Sequence, residues 1–194
     1  MTAARKLPPM MTVDDFLCWE GDGTDTRYEL VDGVLRAMSP ATNTHGRLIM
    51  NLGGRIHTHL DASTTRCSVV SAPGIRPLVR ADWNFRIPDL GVTCEADRRG
   101  ERYLSEPVLL IEVLSPSNEP DTYENIRAYA TLPTVKELVV VHSTRMQVEH
   151  LRRGEDGTWP ANPTMIGAGG SIHFSCIDLT VPIESVYRRT HLDV

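Results

Sequence analysis

The stretch Val108-Leu109-Leu110-Ile111-Glu112-Val113-Leu114 decides the fold. Its even and odd positions are almost all apolar, the pattern of a strand covered on both faces, as in a sheet flanked by helices. Period-2 alternation puts Glu112 on the face it shares with Val108, Leu110 and Leu114. An unpaired carboxylate there costs on the order of several kcal/mol, or else it holds a proton. Something must compensate it. A bound cation is the leading candidate, and an arginine such as Arg86 or Arg127 is the alternative. Upstream, Arg86-Ile87-Pro88-Asp89-Leu90-Gly91-Val92 sets a second acid, Asp89, at the mouth of another apolar strand. Two acids from neighbouring strands predict a metal site.

Outward from this strand, local signals divide the chain into elements. Thr12-Val13-Asp14-Asp15 has the spacing of a capping box opening a short helix to about Glu20, with Phe16, Leu17 and Trp19 docking on the body. Arg27 to Met38 reads as a β-hairpin around Asp32-Gly33. Leu48, Ile49, Leu52, Ile56 and Leu60 keep helical spacing from His45 onward, with Asn43 or Thr44 as cap. The opposite stripe holds Arg47, Asn51 and Arg55, a solvated face or a polyanion contact. Strands are expected near 67–71, 74–79, 87–94 and 107–114, then a helix from Asp121 to about Leu132 stopped by Pro133. Val135 to His142 and Arg145 to Arg152 pair across a short turn, and a β-rich tail follows, with Gly167-Ala168-Gly169-Gly170 as a hairpin turn. This order predicts a mixed α/β (α+β) fold, a mixed sheet flanked by helices.

The 194 residues are large enough for one domain with a real core, here a tail over 1–11 and a body over 12–190. No run approaches the roughly 18 to 20 apolar residues that span a bilayer. The N-terminal residues lack the apolar core of a secretory signal, so the expected location is cytoplasmic. Cys18, Cys67, Cys94 and Cys176 are scattered without a CxxC pair and read as reduced packing residues. A formal charge of −5 argues against coating nucleic acid by bulk electrostatics, although arginines outnumber the two lysines, Lys6 and Lys136. His57 and His59, two apart on a helix, diverge and read as surface residues. Ser39, Ser115 and Ser117 lack a base and read as turn residues.

Several stretches, taken in order, resemble the Uma2 family (also called DUF820), the restriction-endonuclease branch of the PD-(D/E)XK nuclease superfamily. They are Arg27-Tyr28-Glu29-Leu30-Val31-Asp32-Gly33, Met38-Ser39-Pro40 with His45, Ile87-Pro88-Asp89-Leu90, Ile111-Glu112-Val113-Leu114-Ser115-Pro116-Ser117, Ala128-Tyr129-Ala130-Thr131-Leu132-Pro133 and Lys136-Glu137-Leu138-Val139-Val140-Val141. The resemblance implies a restriction-endonuclease-like fold and a Mg²⁺- or Mn²⁺-dependent endonuclease acting on DNA as a homodimer. It makes Asp89 and Glu112 metal ligands, the Val113 carbonyl a third, and Glu29 an upstream acid that binds metal directly or through water. His45 becomes a phosphate contact or a support for the ligands; Arg47 and Arg55 remain substrate candidates only from the polar stripe of their helix. Hard oxygen donors with positions left for water and phosphate suit such an ion.

One departure matters. The superfamily's lysine normally stands two residues past the second acid, where this chain has Leu114, and in the Uma2 branch it comes from the following helix, where this chain has Asn125. Asn125 takes the lost cation's place, and Arg127, the candidate substitute for it, lies in the same helix about 200° round. Losing such a cation costs on the order of 10²–10³ in rate. Two alternatives to the endonuclease therefore stand: a catalytically impaired binding or regulatory protein of the same fold, and a hydrolase of another phosphate ester. An Asn125→Lys variant that gains activity would show that the lost cation is the defect.

Overall fold

The computed structural model describes residues 10–193; Met1–Pro9, with Lys6 and the stretch read for a secretory signal, lie outside the described residues, as does Val194. The elements run α1 (Val13–Cys18), β1 (Tyr28–Val31), β2 (Val34–Ala37), α2 (Asn43–Ala62), β3 (Ser68–Ser71), β4 (Leu90–Thr93), β5 (Pro107–Leu114) and α3 (Glu119–Tyr129). They continue with β6 (Glu137–His142), β7 (Gln147–Arg152), β8 (Thr164–Gly167), β9 (Ser171–Phe174), β10 (Leu179–Pro182) and α4 (Ile183–Tyr187).

A six-stranded sheet of order β3-β4-β5-β6-β7-β8 forms the centre. Its one parallel pair is β5 with β6, joined by α3 as the crossover that parallel strands require. As the quoted stretch predicts, β5 is covered on both sides. Its odd residues Leu109, Ile111 and Val113 pack with Leu48, Leu52 and Ile56 of α2 and with the β9–β10–α4 segment. Its even residues Leu110 and Leu114 pack with Ile126 and Tyr129 of α3. Glu112 therefore lies on the α3 side.

The β1–β2 hairpin turns through Asp32 (φ 50°) and Gly33 (φ 84°), the left-handed pair of a type I′ turn. It docks through reciprocal 2.8 Å backbone bonds between Leu30 and Phe85 over a small core with Met11, Val13 and α1. The Thr12–Asp15 capping box is present.

The structure also departs from the sequence reading. The strand expected over 74–79 reduces to a bridge, Ile75 with Arg86, because the chain turns away at once. Thr42 caps α2, not Asn43 or Thr44. Helix α3 starts at Glu119, since Pro120 needs no N–H in a first turn. The Gly167–Gly170 turn joins two different sheets and is no hairpin: β8 pairs with β7, β9 with β10. The reduced-cysteine expectation is overturned for one pair. Extending the register Ser68↔Thr93 sets Cys67 opposite Cys94, and the two form a disulfide, which sequence spacing alone does not reveal. Cys18 and Cys176 are free. His59 is not a bare surface residue, since its Nε2 meets the Ile177 carbonyl at 2.8 Å.

Candidate active-site cleft

Asp89 immediately precedes β4, and continuing the register Leu90↔Ile111 sets it opposite Glu112. Its side chain prolongs the ladder beyond the strand: Oδ2 accepts the Val113 N–H at 2.6 Å. From the other layer, His45 at the start of α2 places Nε2 2.9 Å from Asp89 Oδ1. One carboxylate thus ties the end of β4 to β5 and α2.

Glu112 is 6% exposed. Oε1 accepts from Tyr129 Oη at 2.9 Å and Asn125 Nδ2 at 3.2 Å. Among the described residues no arginine pairs with it, so the Arg86 and Arg127 alternatives are corrected. Arg86 instead reaches Asn84, Glu124 and Asn125, while Arg127 is exposed on the outer side of α3. Burial pushes the Glu112 carboxyl well above its ordinary range, and the nearby charges of Asp89 and Glu29 push it further. Among the described residues none donates to Glu112 Oε2, yet that atom is not sealed in. The side chain lines a cleft of about 650 Å³.

The pleat orients a third oxygen. On a strand, the N–H and C=O of one residue point to the same edge. The Val113 N–H points toward Asp89, so its carbonyl also faces the β4 side. The register puts Pro88 opposite it, and proline has no N–H to give. Asp89 and Glu112 both line the same cleft.

Glu29 is placed differently. It is 4% exposed, and both its oxygens are occupied. Oε1 accepts from the Ile87 N–H at 2.7 Å and Asn125 Nδ2 at 3.2 Å, while Oε2 accepts from Arg36 Nη2 at 2.6 Å and Nε at 3.2 Å. Asn125 is the hub. Its Nδ2 lies 3.2 Å from Oε1 of both Glu29 and Glu112, holding two carboxylates no more than twice that distance apart. Its Oδ1 accepts from Arg36 Nη2 at 2.7 Å and Arg86 Nη1 at 3.2 Å.

Arg36 and Tyr129 are site residues that sequence reasoning missed. Arg36 was legible in principle, since a two-residue turn at Asp32-Gly33 pairs Glu29 with Arg36 across the hairpin. The Tyr129 hydroxyl gave no signal in the sequence. The remaining substrate candidates lie apart. Arg47 is exposed on α2 and does not line the cleft. Arg55 meets the Ser185 carbonyl at 3.4 Å, and Asn51 bonds the Val186 and Arg188 carbonyls at 2.8 Å. That stripe seats α4.

Among the described residues no three His, Cys, Asp or Glu side chains are grouped to hold an ion by themselves. Asp89 and Glu112 could offer two carboxylates to an ion such as Mg²⁺ or Mn²⁺, which binds through one or two carboxylates and completes its shell with water and substrate oxygens.

Comparison with known proteins agrees with this layout. Residues 13–170 match the Uma2 family, whose description is "Putative restriction endonuclease". The chain belongs to the Uma2 family. It is 27% identical to the Synechocystis protein slr1290 over 182 residues, 93% of each chain. It is 24% identical to Synechocystis sll1609 over 170 residues, 86% of this chain and 93% of that one. The crystal structure of "a putative nuclease belonging to DUF820" from Anabaena variabilis superposes with a TM-score of 0.74 at 14% identity, covering 91% of this chain and 97% of the other. Uma2 membership thus rests on the sequence, and the restriction-endonuclease-like fold on that superposition. No helix among the described residues is long and apolar enough to cross a membrane.

Proposed function

We propose that this Uma2 protein is a Mg²⁺- or Mn²⁺-dependent endonuclease that hydrolyses DNA phosphodiester bonds in the cleft of Asp89 and Glu112. One observation carries the reading. Glu112, buried and electrostatically uncomfortable, turns an unpartnered oxygen into a cleft beside Asp89 and a carbonyl that faces proline. Such an arrangement is costly in an empty fold and is relieved by a hard dication.

Asp89, Glu112 and the Val113 carbonyl would hold the ion. When bound it would polarise the scissile phosphate and lower the pKa of a coordinated water. The other residues prepare this site. His45 and the Val113 N–H fix the Asp89 carboxylate; Tyr129 and Asn125 fix Oε1 of Glu112 and leave Oε2 free. Arg36 fixes Glu29, which in turn orients Asn125. Glu29 then acts on the ligands through Asn125, and contact with the ion would run through water. Two copies acting together would cut both strands, which sedimentation of the protein with and without duplex checks.

Supercoiled plasmid incubated with the protein and Mg²⁺ or Mn²⁺ is expected to be nicked or linearised, and Asp89→Ala or Glu112→Ala to abolish this. Cleavage surviving both substitutions overturns the assignment. A second reading, a non-cleaving binding protein or a hydrolase of a smaller phosphate ester, draws on the lining itself. Leu114 stands in the core where the superfamily has lysine, and Asp25 and Asp121 add to an acidic wall. Metal binding without nucleic-acid cleavage supports that reading.

A further inference from the structure

A phosphodiester entering this cleft brings negative charge to a wall of acids, so some cation must meet it beside the metal. Arg36 cannot do so as it stands. Its five N–H donors are spent on Glu29, Asp121, Glu124 and Asn125. Arg86 is 2% exposed, its two terminal nitrogens bind Asn125, Asn84 and Glu124, and its Nε is buried. Arg127 points away from the sheet to solvent. Neither Leu114 nor Asn125 carries charge.

One guanidinium remains. Arg27 lies just before β1, two residues from Glu29, and period 2 sends both side chains to the same face. It lines the cleft that contains Asp89 and Glu112. Its backbone is fixed, because its carbonyl accepts the Met38 N–H at 2.8 Å as the hairpin's last rung. Its side chain is exposed, and among the described residues nothing hydrogen-bonds or ion-pairs with it. Among the described residues, Arg27 and Arg36 are the two lining arginines. One is spent and the other is free.

We infer that Arg27 is the phosphate-binding cation of this cleft, a two-pronged clamp on the non-bridging oxygens of a nucleic-acid phosphodiester, standing where the usual lysine is lost. The inference rests on the endonuclease reading and names the residue that reads its substrate's charge. A guanidinium fork matches two phosphate oxygens, which a lysine point charge does not. Arg27 is tied to the β1–β2 hairpin instead of the helix after β5.

Arg27→Gln, Arg27→Lys and a control, Arg66→Gln, test this; Arg66 is exposed beyond α2 and does not line the cleft. Two measurements are made on each protein. One is fluorescence anisotropy of a labelled oligonucleotide duplex without divalent ions, across a salt series. The other is plasmid cleavage with Mg²⁺ or Mn²⁺. Arg27→Gln should weaken duplex binding about tenfold and reduce the slope of log K against log salt by about one. Its kcat/KM should fall about 100-fold. Arg27→Lys should restore the salt slope but only part of the rate, and Arg66→Gln should match the wild type. Cleavage and binding by Arg27→Gln equal to wild type overturn the Arg27 assignment and leave the endonuclease reading intact. Arg27-dependent binding with no cleavage by any protein supports Arg27 and overturns the endonuclease. Absence of both binding and cleavage in the wild type overturns both.

Discussion

Asn125→Lys discriminates between a site that has lost a catalytic lysine and one rebuilt around an amide. If the missing cation is the only defect, the lysine restores activity. The structure predicts damage instead. Oδ1 of Asn125 accepts from Arg36 at 2.7 Å and from Arg86 at 3.2 Å, and an ammonium accepts nothing. Two charge-assisted bonds go, each worth about 1.5–3 kcal/mol, for a loss of roughly 3–6 kcal/mol. The new charge is attracted by Glu29 and Glu112 and repelled by the two guanidiniums, so its own pairing offsets little. Against a total stability of about 5–15 kcal/mol this is a large fraction. Urea unfolding followed by circular dichroism at pH 7 should show the midpoint falling by about 2 M, given slopes of about 1–3 kcal/mol/M. Plasmid cleavage should fall too. A variant within about 1 kcal/mol of wild type that cleaves faster would falsify the amide-hub account.

Further expectations concern the other buried groups. Because the folded protein holds the Glu112 proton more tightly than an unfolded chain near 4.5, metal-free stability should fall as pH rises above that value. Glu112→Gln should flatten this dependence and remove any rise in Tm on adding Mn²⁺; an undiminished Mn²⁺ effect would count against Glu112 as a ligand. Glu137 behaves in the opposite sense. Burial would raise its carboxyl, but the nearby His150 imidazole and hydrogen bonds from Ser175 and Cys176 win and hold it at about 2. Its contribution, about 3 kcal/mol, is complete above 4.5 and is lost as pH falls toward 2. Glu137→Gln should therefore shallow the acid limb of an unfolding curve, and an identical limb would refute the assignment. The Cys67–Cys94 bond predicts that denatured, unreduced protein titrates as two thiols. Cys67→Ala should cost about 3 kcal/mol for a loop of this size; four titratable thiols would rule the bond out.

The sequence determined much of the frame. Apolar residues at both parities made β5 a covered strand, Asp32-Gly33 set the hairpin and its register, and Thr12 with Asp15 capped α1. These signals were legible because each depends on residues within one or two turns of chain, where spacing alone fixes which face a side chain takes. The same logic set Arg127 apart from Asn125 and marked Glu112 as a carboxylate in need of a partner. Partners were another matter. The hydroxyl of Tyr129, the Arg36–Asn125 contact across 89 positions and the Asn125 bridge from Glu29 to Glu112 exist only because register and helix docking set distant residues side by side. Pro88 opposite the Val113 carbonyl, Cys67 opposite Cys94, and the seating of α4 on Asn51 and Arg55 were decided the same way. A hydrogen bond requires a few ångströms and a direction, and along the chain neither is encoded until the sheet is assembled.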